Sequence, residues 1–324
     1  MTGNERRGII TMGLTEVEDK QGDLKKEDLK IEVNGKTRTC GLIGNPVEHT
    51  LSPLIHNSLA GELGQNMVYV PFFVEKGQLE NAVKGAYGLH ILGCNVTVPY
   101  KSEVIPYLAE VDELAGKIGA VNTLVRTEGG YKGYNTDITG LLRAMKSDGV
   151  FIKDEQIVIL GAGGVGRAVA FMCAANGAKK VYLLNRSIDK AKEIAADVNG
   201  SLQVSTVEAM ALADYEKLPD EKYLVIQCTS VGLAPKVEEV VIADEAFYKK
   251  VKIAYDLIYN PWETRFMKLA KKQGAEAYNG LKMLLFQAVD AFELWTGCKI
   301  SDERAYKIYD LLQNAIRTRE TCKK

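Results

Sequence analysis

The chain has 324 residues, 46% of them hydrophobic, which is length for about two domains and enough apolar content to give each a core, so a largely disordered chain is excluded. Forty-one Lys plus Arg stand against 42 Asp plus Glu, leaving a net charge of -1 and no basic excess to neutralise a phosphate backbone or an anionic bilayer. Neither nucleic acid nor membrane is expected as a partner. The polar N-terminus, Met1 to Lys36, lacks the apolar core of a signal peptide, and no apolar run approaches the roughly 18 residues of a spanning helix, so a cytoplasmic protein is expected.

Cys40, Cys94, Cys173, Cys228, Cys298 and Cys322 are far apart, with no C-x-x-C pair, and read as reduced thiols, most of them among apolar neighbours. His49, His56 and His90 lack metal-ligand spacing, and no metal site is expected.

Residues 1–36 carry many charges and two glycine turns, Gln21-Gly22-Asp23 and Asn34-Gly35-Lys36, and read as a flexible extension. From Thr39 strands and helices alternate: Cys40 to Ile43 then Pro53 to Leu63, Met67 to Phe73 then Gln78 to Tyr87, Ile91 to Val96 then Lys101 to Leu108. A strand from Ala120 to Arg126 turns at Gly129-Gly130 into Tyr131 to Tyr134, predicting an antiparallel hairpin at the sheet edge. Asp137 to Lys146 predicts a helix leaving this domain. The rhythm restarts with strands at Gln156 to Leu160, Lys180 to Leu184, Leu202 to Ser205, Tyr223 to Gln227 and Ile253 to Leu257. Two long helices follow, Gly280 to Thr296 and Asp302 to Arg317, and are expected to pack back on the first domain. The expected fold is α/β in two domains. An N-terminal α/β substrate domain, 37–137 completed by the C-terminal helices of 280–324, accompanies a Rossmann dinucleotide-binding domain, 138–279.

Gly161-Ala162-Gly163-Gly164-Val165-Gly166 follows the strand Ile157-Val158-Ile159-Leu160 and opens an apolar helix. A G-x-G-x-x-G in that context supplies a tight turn, close backbone approach to a pyrophosphate and close helix packing, with N–H groups at the helix start for the phosphates. The next strand ends in Asn185-Arg186-Ser187, with Lys190 a turn later, where an NAD enzyme would place a carboxylate on the ribose. A guanidinium fork suits a 2'-phosphate, so NADP is expected over NAD, with Asp189 the one opposing charge.

Polar groups gather at the expected strand ends of the first domain: Thr50-Leu51-Ser52-Pro53, Asn95-Val96-Thr97-Val98-Pro99-Tyr100-Lys101, Ala120-Val121-Asn122-Thr123 and Tyr134-Asn135-Thr136-Asp137. Ser52 and Asp137 could each serve as a helix cap. Taken together the four segments describe a pocket for a small, polyhydroxylated anion.

These segments, with Gly41-Leu42-Ile43-Gly44-Asn45-Pro46, His56-Asn57, the glycine loop, Asn185-Arg186-Ser187, Tyr255-Asp256-Leu257-Ile258-Tyr259-Asn260-Pro261 and Gly280-Leu281-x-Met283-Leu284-x-x-Gln287, resemble the shikimate dehydrogenase family, in family order from Lys36 to the C-terminus. The resemblance implies reversible reduction of 3-dehydroshikimate to shikimate by NADPH on the route to chorismate and the aromatic amino acids. It implies that Thr50, Ser52 and Tyr259 hold the substrate carboxylate, that Thr97, Asn122 and Gln287 bind ring hydroxyls, and that Lys101 and Asp137 form the catalytic pair. It also implies cofactor contacts at Gly161 to Gly166, Asn185, Arg186, Ser187, Lys190, Thr229 and Gly280. Such a pair makes chemical sense, since an alkoxide developing at the ketone needs a proton and a nearby positive charge.

Two segments depart from the family pattern. Thr50 stands where Ser is usual, adding a methyl to the carboxylate turn, and Gln227-Cys228-Thr229-Ser230 replaces an Asn-led segment near the cofactor. The alternatives are a quinate/shikimate dehydrogenase and, from another class, a non-catalytic NADP(H)-binding regulator, against which the presence of both Lys101 and Asp137 argues. A monomer or homodimer is expected.

Overall fold

The computed structural model describes residues 32–321, so most of the expected flexible extension lies outside the described residues. The Asn34-Gly35-Lys36 turn is present, closed by the Thr37 amide on the Asn34 carbonyl at 3.0 Å. Packing divides the chain into two units, one of 32–116, 121–136 and 288–308, the other of 117–120, 137–287 and 309–321. The sequence reading cuts the chain at 137/138 and 279/280, whereas this division passes between Thr136 and Asp137 and through the last two helices.

The first unit begins with β1 (Arg38–Gly44), α1 (Ser52–Glu62), β2 (Met67–Phe73), α2 (Leu79–Gly88) and β3 (Gly93–Val96). It continues with β4 (Glu110–Val111), α3 (Glu113–Ile118), β5 (Thr123–Thr127) and β6 (Gly130–Tyr134). The sheet runs β2-β1-β3-β5-β6-β4, with β1 parallel to β2 and β3, and β5 antiparallel to both β3 and β6. Central β1 is buried from Cys40 to Gly44, as a strand covered on both faces must be. Edge strand β2 alternates, with Met67 and Tyr69 buried, and tolerates Pro71, which has no N–H to donate.

Two expectations are corrected here. The β5–β6 hairpin forms but is not the edge, because the two-residue β4 pairs in parallel with β6 outside it. Lys101 to Leu108 is not a helix: it runs through turns into a short 3-10 helix, Ile105–Tyr107, containing Pro106, which cannot donate a helical hydrogen bond. Buried Val104 and Tyr100 give this stretch its apolar spacing by anchoring a turn to the core.

α4 (Thr136–Ser147) leads to the second sheet of β7 (Gln156–Leu160), β8 (Lys180–Asn185), β9 (Val207–Ala211), β10 (Tyr223–Gln227), β11 (Val251–Asp256) and β12 (Glu276–Tyr278), with α5 (Gly164–Ala175), α6 (Ile188–Leu202), α7 (Glu245–Tyr248) and α8 (Arg265–Lys272) between strands. All pairings are parallel, in the order β12-β11-β10-β7-β8-β9. This is the doubly wound dinucleotide-binding order, with its switch point between β7 and β10. The expected strand at Leu202 to Ser205 does not form: Leu202 ends α6, which closes at Gln203 in the left-handed conformation (φ 54°), Val204 and Ser205 lie in the connection, and the strand begins at Val207.

The chain ends in α9 (Leu281–Thr296) and α10 (Asp302–Thr321). The second half of α9 belongs to the first unit, where the Trp295 indole donates to the Leu124 carbonyl at 2.9 Å. Its first half pairs with α4: a Cβ on Gly140 would lie 2.4 Å from the Gln287 nitrogen, and Lys282 forms an ion pair with half-buried Asp148.

Candidate functional site

Sheet topology explains how dispersed segments of the first unit share one end. Thr50 and Ser52 follow β1, Thr97 and Lys101 follow β3, and Thr136 follows β6. The Asn122 segment does not follow a strand, as the sequence reading has it, but precedes β5. Because β5 is antiparallel, its start at Thr123 lies opposite Asn95 on β3 and Tyr134 on β6, at the same end of the sheet.

The turn after β1 is built from its own hydroxyls. Thr50 Oγ1 accepts the Ser52 amide at 3.2 Å and donates to Ser52 Oγ at 3.1 Å. Ser52 is therefore not the N-cap of α1; that position is Leu51, and Ser52 starts the helix with Pro53 next, in the first turn where no N–H is needed. Asn57 fixes α1 to β2, its Oδ1 accepting from the Tyr69 amide at 2.8 Å and its Nδ2 donating to the Tyr69 carbonyl at 3.1 Å. Thr97 sits against Gly44, where a Cβ would lie 2.3 Å from the threonine methyl. The Lys101 carbonyl accepts from the Val121 amide at 2.8 Å, tying the β3 turn to the Asn122 segment. Asn122 is 2% exposed, and its Oδ1 accepts from the Thr136 amide at 2.7 Å. The start of α4 is thus held by Asn122 from across the sheet, and Asp137 lies in its first turn, half-buried.

In the second unit the glycine loop has the geometry its spacing predicts. Gly161 has φ 107°, a conformation that a side chain would strain. A Cβ on Gly166 would lie 1.9 Å from the Gly161 carbonyl oxygen, so only glycine lets α5 start this close to β7. A Cβ on Gly163 would meet nothing within 4 Å, and the first amides of α5 have no i−4 carbonyl. These residues fit a dinucleotide pyrophosphate. Asn185 links the loop to the next strand end, its Oδ1 accepting from the Ala162 amide at 3.1 Å and its Nδ2 donating to the Ser187 carbonyl at 3.0 Å.

Arg186, exposed at the end of β8, lines a cleft of about 400 Å³ with Leu212, Tyr215, Ile242 and Asp244. The Asp244 carboxylate caps α7 through the Ala246 amide at 2.9 Å and accepts from the Tyr215 hydroxyl at 2.9 Å. These hydrogen bonds hold its carboxyl below the usual range and occupy it with partners other than Arg186. Ser187, Lys190 and Asp189 are exposed at the start of α6.

Gln227, whose place in the family pattern belongs to a shorter amide, is fully buried at the end of β10. Its Oε1 accepts from the Thr229 amide, and its Nε2 donates to the Val231 carbonyl at 3.2 Å and to Asp256 Oδ1 at 3.3 Å. Asp256, also fully buried, accepts from the Ile258 amide at 3.0 Å and from the Thr264 hydroxyl, while burial pushes its carboxyl up to about 6. The longer side chain thus anchors the Thr229 loop. Sequence reasoning assigned Asp256 no role, although a carboxylate closing an apolar strand is itself a signal of a buried network. Gly280 abuts β11, where a Cβ would lie 2.1 Å from the Leu257 oxygen, and half-buried Tyr259 follows the same strand. Gln287 is 8% exposed and donates to the Leu284 carbonyl at 2.8 Å.

Among the described residues no group of three His, Cys, Asp or Glu is placed to hold a metal, Cys40, Cys94 and Cys173 are buried free thiols, and no helix is long and apolar enough to cross a membrane.

A doubly wound sheet with a glycine loop, in a chain whose other α/β unit collects polar residues at one sheet end, defines a dinucleotide-dependent oxidoreductase of two domains. Sequence comparison narrows the class. Residues 42–124 match the shikimate dehydrogenase substrate binding domain, 144–251 match shikimate / quinate 5-dehydrogenase, and 280–307 match the shikimate 5'-dehydrogenase C-terminal domain. The shikimate dehydrogenase (NADP(+)) of Desulforamulus reducens is 42% identical over 270 residues, 82% of this chain and 92% of that protein. A shikimate dehydrogenase solved in complex with NADP+ is 36% identical with a TM-score of 0.80, covering 92% of this chain and 99% of that one. A quinate dehydrogenase from Corynebacterium glutamicum, in complex with NAD, is 30% identical with a TM-score of 0.77, covering 84% and 98%. The chain belongs to the shikimate dehydrogenase family.

Proposed function

We propose that this protein is an NADP-dependent shikimate dehydrogenase of the cytoplasm that interconverts 3-dehydroshikimate and shikimate. The observation that carries the reading is the gathering of Thr50, Ser52, Thr97, Lys101 and Asn122 at one end of a sheet whose strands are otherwise mostly apolar, in a chain of this family. In this reading 37–137 and 280–324 form the substrate domain, and 138–279 the NADP domain. Thr50, Ser52 and Tyr259 hold the carboxylate; Thr97, Asn122 and Gln287 bind ring hydroxyls. Gly161 to Gly166, Asn185, Thr229 and Gly280 would hold NADP, with the glycine loop at its pyrophosphate and Arg186, Ser187 and Lys190 at its 2'-phosphate. Bound NADPH supplies the hydride. The Lys101–Asp137 pair provides the proton as the ketone oxygen gains charge: the ammonium stabilises that charge, and the carboxylate orients the ammonium and accepts from a ring hydroxyl.

The test is steady-state turnover followed by NADPH absorbance, with shikimate or quinate against NADP or NAD. Shikimate with NADP is expected to be the best pair, and comparable turnover of quinate would indicate the broader quinate/shikimate activity. Lys101→Ala is expected to lower kcat at least about 100-fold with a far smaller change in shikimate KM. An unchanged kcat would remove Lys101 from the chemistry.

A further inference from the structure

Tyr69, Asn95 and Thr123 have no role in the site as assigned, yet they are 0%, 4% and 0% exposed and hydrogen-bonded into one network beneath Asn122. Two backbone groups set its polarity. The Asn122 carbonyl can only accept, and Asn95 Nδ2 donates to it at 3.2 Å and to Thr123 Oγ1 at 3.0 Å. Asn95 Oδ1 is thereby the acceptor for the Tyr69 hydroxyl, at 2.8 Å. At the far end the Thr136 amide can only donate, and Asn122 Oδ1 takes it at 2.7 Å. Asn122 Nδ2 therefore lies on the other side of the side-chain amide and donates to Thr136 Oγ1 at 3.1 Å.

The hydrogen-bonding capacity of a primary amide is two N–H donors and two acceptor lone pairs. The Thr136 amide occupies one lone pair of Asn122 Oδ1, and the Thr123 and Thr136 hydroxyls stand at 3.1 and 3.2 Å to compete for the other. The Thr136 hydroxyl takes one of the two N–H groups. What Asn122 has left for a ligand is one N–H and no acceptor. Turning the amide over would set Nδ2 against the Thr136 N–H, donor against donor, in a buried site.

We propose that Tyr69, Asn95, Thr123 and Thr136 are positioning residues that lock the Asn122 amide with a single N–H toward the substrate, so that this position reads a lone pair on a substrate hydroxyl and never its hydrogen. The proposal rests on the reading of Asn122 as a ring-hydroxyl ligand. It requires that hydroxyl to direct its own hydrogen to another acceptor, which makes Asn122 selective for the orientation of the bound ring as well as for the presence of the group.

The experiment is the double variant Tyr69→Phe/Asn95→Leu, which removes the donor and acceptor of that hydrogen bond together, while the Asn122 carbonyl keeps the Val96 amide at 2.8 Å. Shikimate KM is expected to rise at least about tenfold while kcat changes less than about threefold, NADP KM is unchanged and the melting temperature falls by only a few degrees. A folded double variant with the parental shikimate KM overturns the proposal. Asn122→Ala separates the two layers: if it raises shikimate KM and the double variant does not, the positioning role alone falls. If Asn122→Ala leaves shikimate KM unchanged, the ligand reading falls and the proposal with it. Should the double variant fail to fold, Tyr69→Phe alone decides, with a rise of about threefold supporting the lock and an unchanged KM overturning it.

Discussion

In the first unit, side chains that hydrogen-bond one another are sunk into the sheet: Tyr69 on β2, Asn95 on β3, and Asn122 and Thr123 at the start of β5 are all buried. In the second, β7 from Ile157 to Leu160 and β10 from Tyr223 to Ile226 are wholly buried and, apart from the Tyr223 hydroxyl, apolar, and polarity begins at the strand ends with Gln227, Asp256 and the backbone of the glycine loop. The difference fits what each is proposed to bind. A phosphate is held by backbone N–H groups, which need space and an absent Cβ, whereas ring hydroxyls are read by side chains whose donors and acceptors must be oriented from below.

The sharpest way to break this contrast is to put a side chain where the second unit depends on having none. Gly166→Val drives a Cβ into the Gly161 carbonyl and is expected to cost about 3 kcal/mol and to abolish NADP binding in a fluorescence titration. Trp295, which lies in the first unit, should keep its parental emission when read in a Trp262→Phe background. NADP binding at parental affinity in Gly166→Val would show that the loop does not need its closeness. Next in size, Arg186→Ala is expected to weaken NADP about 30-fold, near 2 kcal/mol, with little effect on NAD, because only NADP carries the phosphate a guanidinium grips. Equal losses for both cofactors would refute that assignment.

Acid should separate the two units by sign. His56 is fully buried against Tyr69, ring centroids 4.2 Å apart, neither ring nitrogen has a hydrogen-bond partner, and burial drives its pKa down to about 3. Since the unfolded histidine protonates near 6.5, the unfolded state takes up a proton that the folded one refuses. Stability from His56 is whole above about pH 6.5 and falls as pH drops toward 3, by about 1.4 kcal/mol per unit. Denaturant midpoints read at Trp295 between pH 6.5 and 5.5 should show that loss, and His56→Phe should remove most of it. An undiminished acid sensitivity in His56→Phe would place the cause elsewhere.

The smallest effect has the opposite direction. Asp256 is raised to about 6 by burial, so the folded state binds its proton before the unfolded one does. Its contribution is greatest below about pH 3.8 and is lost as pH rises through 6. Between pH 6 and 5 this offsets acid destabilisation by about 1 kcal/mol. Trp262, in the second unit, reports it, and Asp256→Asn should remove that offset, so that the Trp262 midpoint falls further between pH 6 and 5 than in the parent.

Much of this architecture could be read from the chain alone where local patterns suffice. The expected limits of β2, β7 and β10 agree with the strands formed, because each is an apolar run bounded by turn or helix signals. Lys101 to Leu108 misled because Tyr100, Val104 and Ile105 have helical spacing, yet Pro106 and packing into the core make turns of it. The stretch around Leu202 misled because α6 runs to Leu202 and closes at the left-handed Gln203, so the strand starts only at Val207. β4 has only two residues and no periodicity to detect.

The candidate site divides along the same line. The glycine loop is determined by sequence, since its constraints are the φ of Gly161 and a contact between residues five positions apart. The polarity of Asn122 is not. It depends on Thr136, 14 positions along, and on Asn95, 27 positions back, which meet only because β5 runs against β3 and β6 and brings its start to their ends. Sequence supplied the amide; which face of it carries a free N–H was decided by tertiary structure, because a side-chain amide has no preferred orientation until fixed donors and acceptors are brought around it.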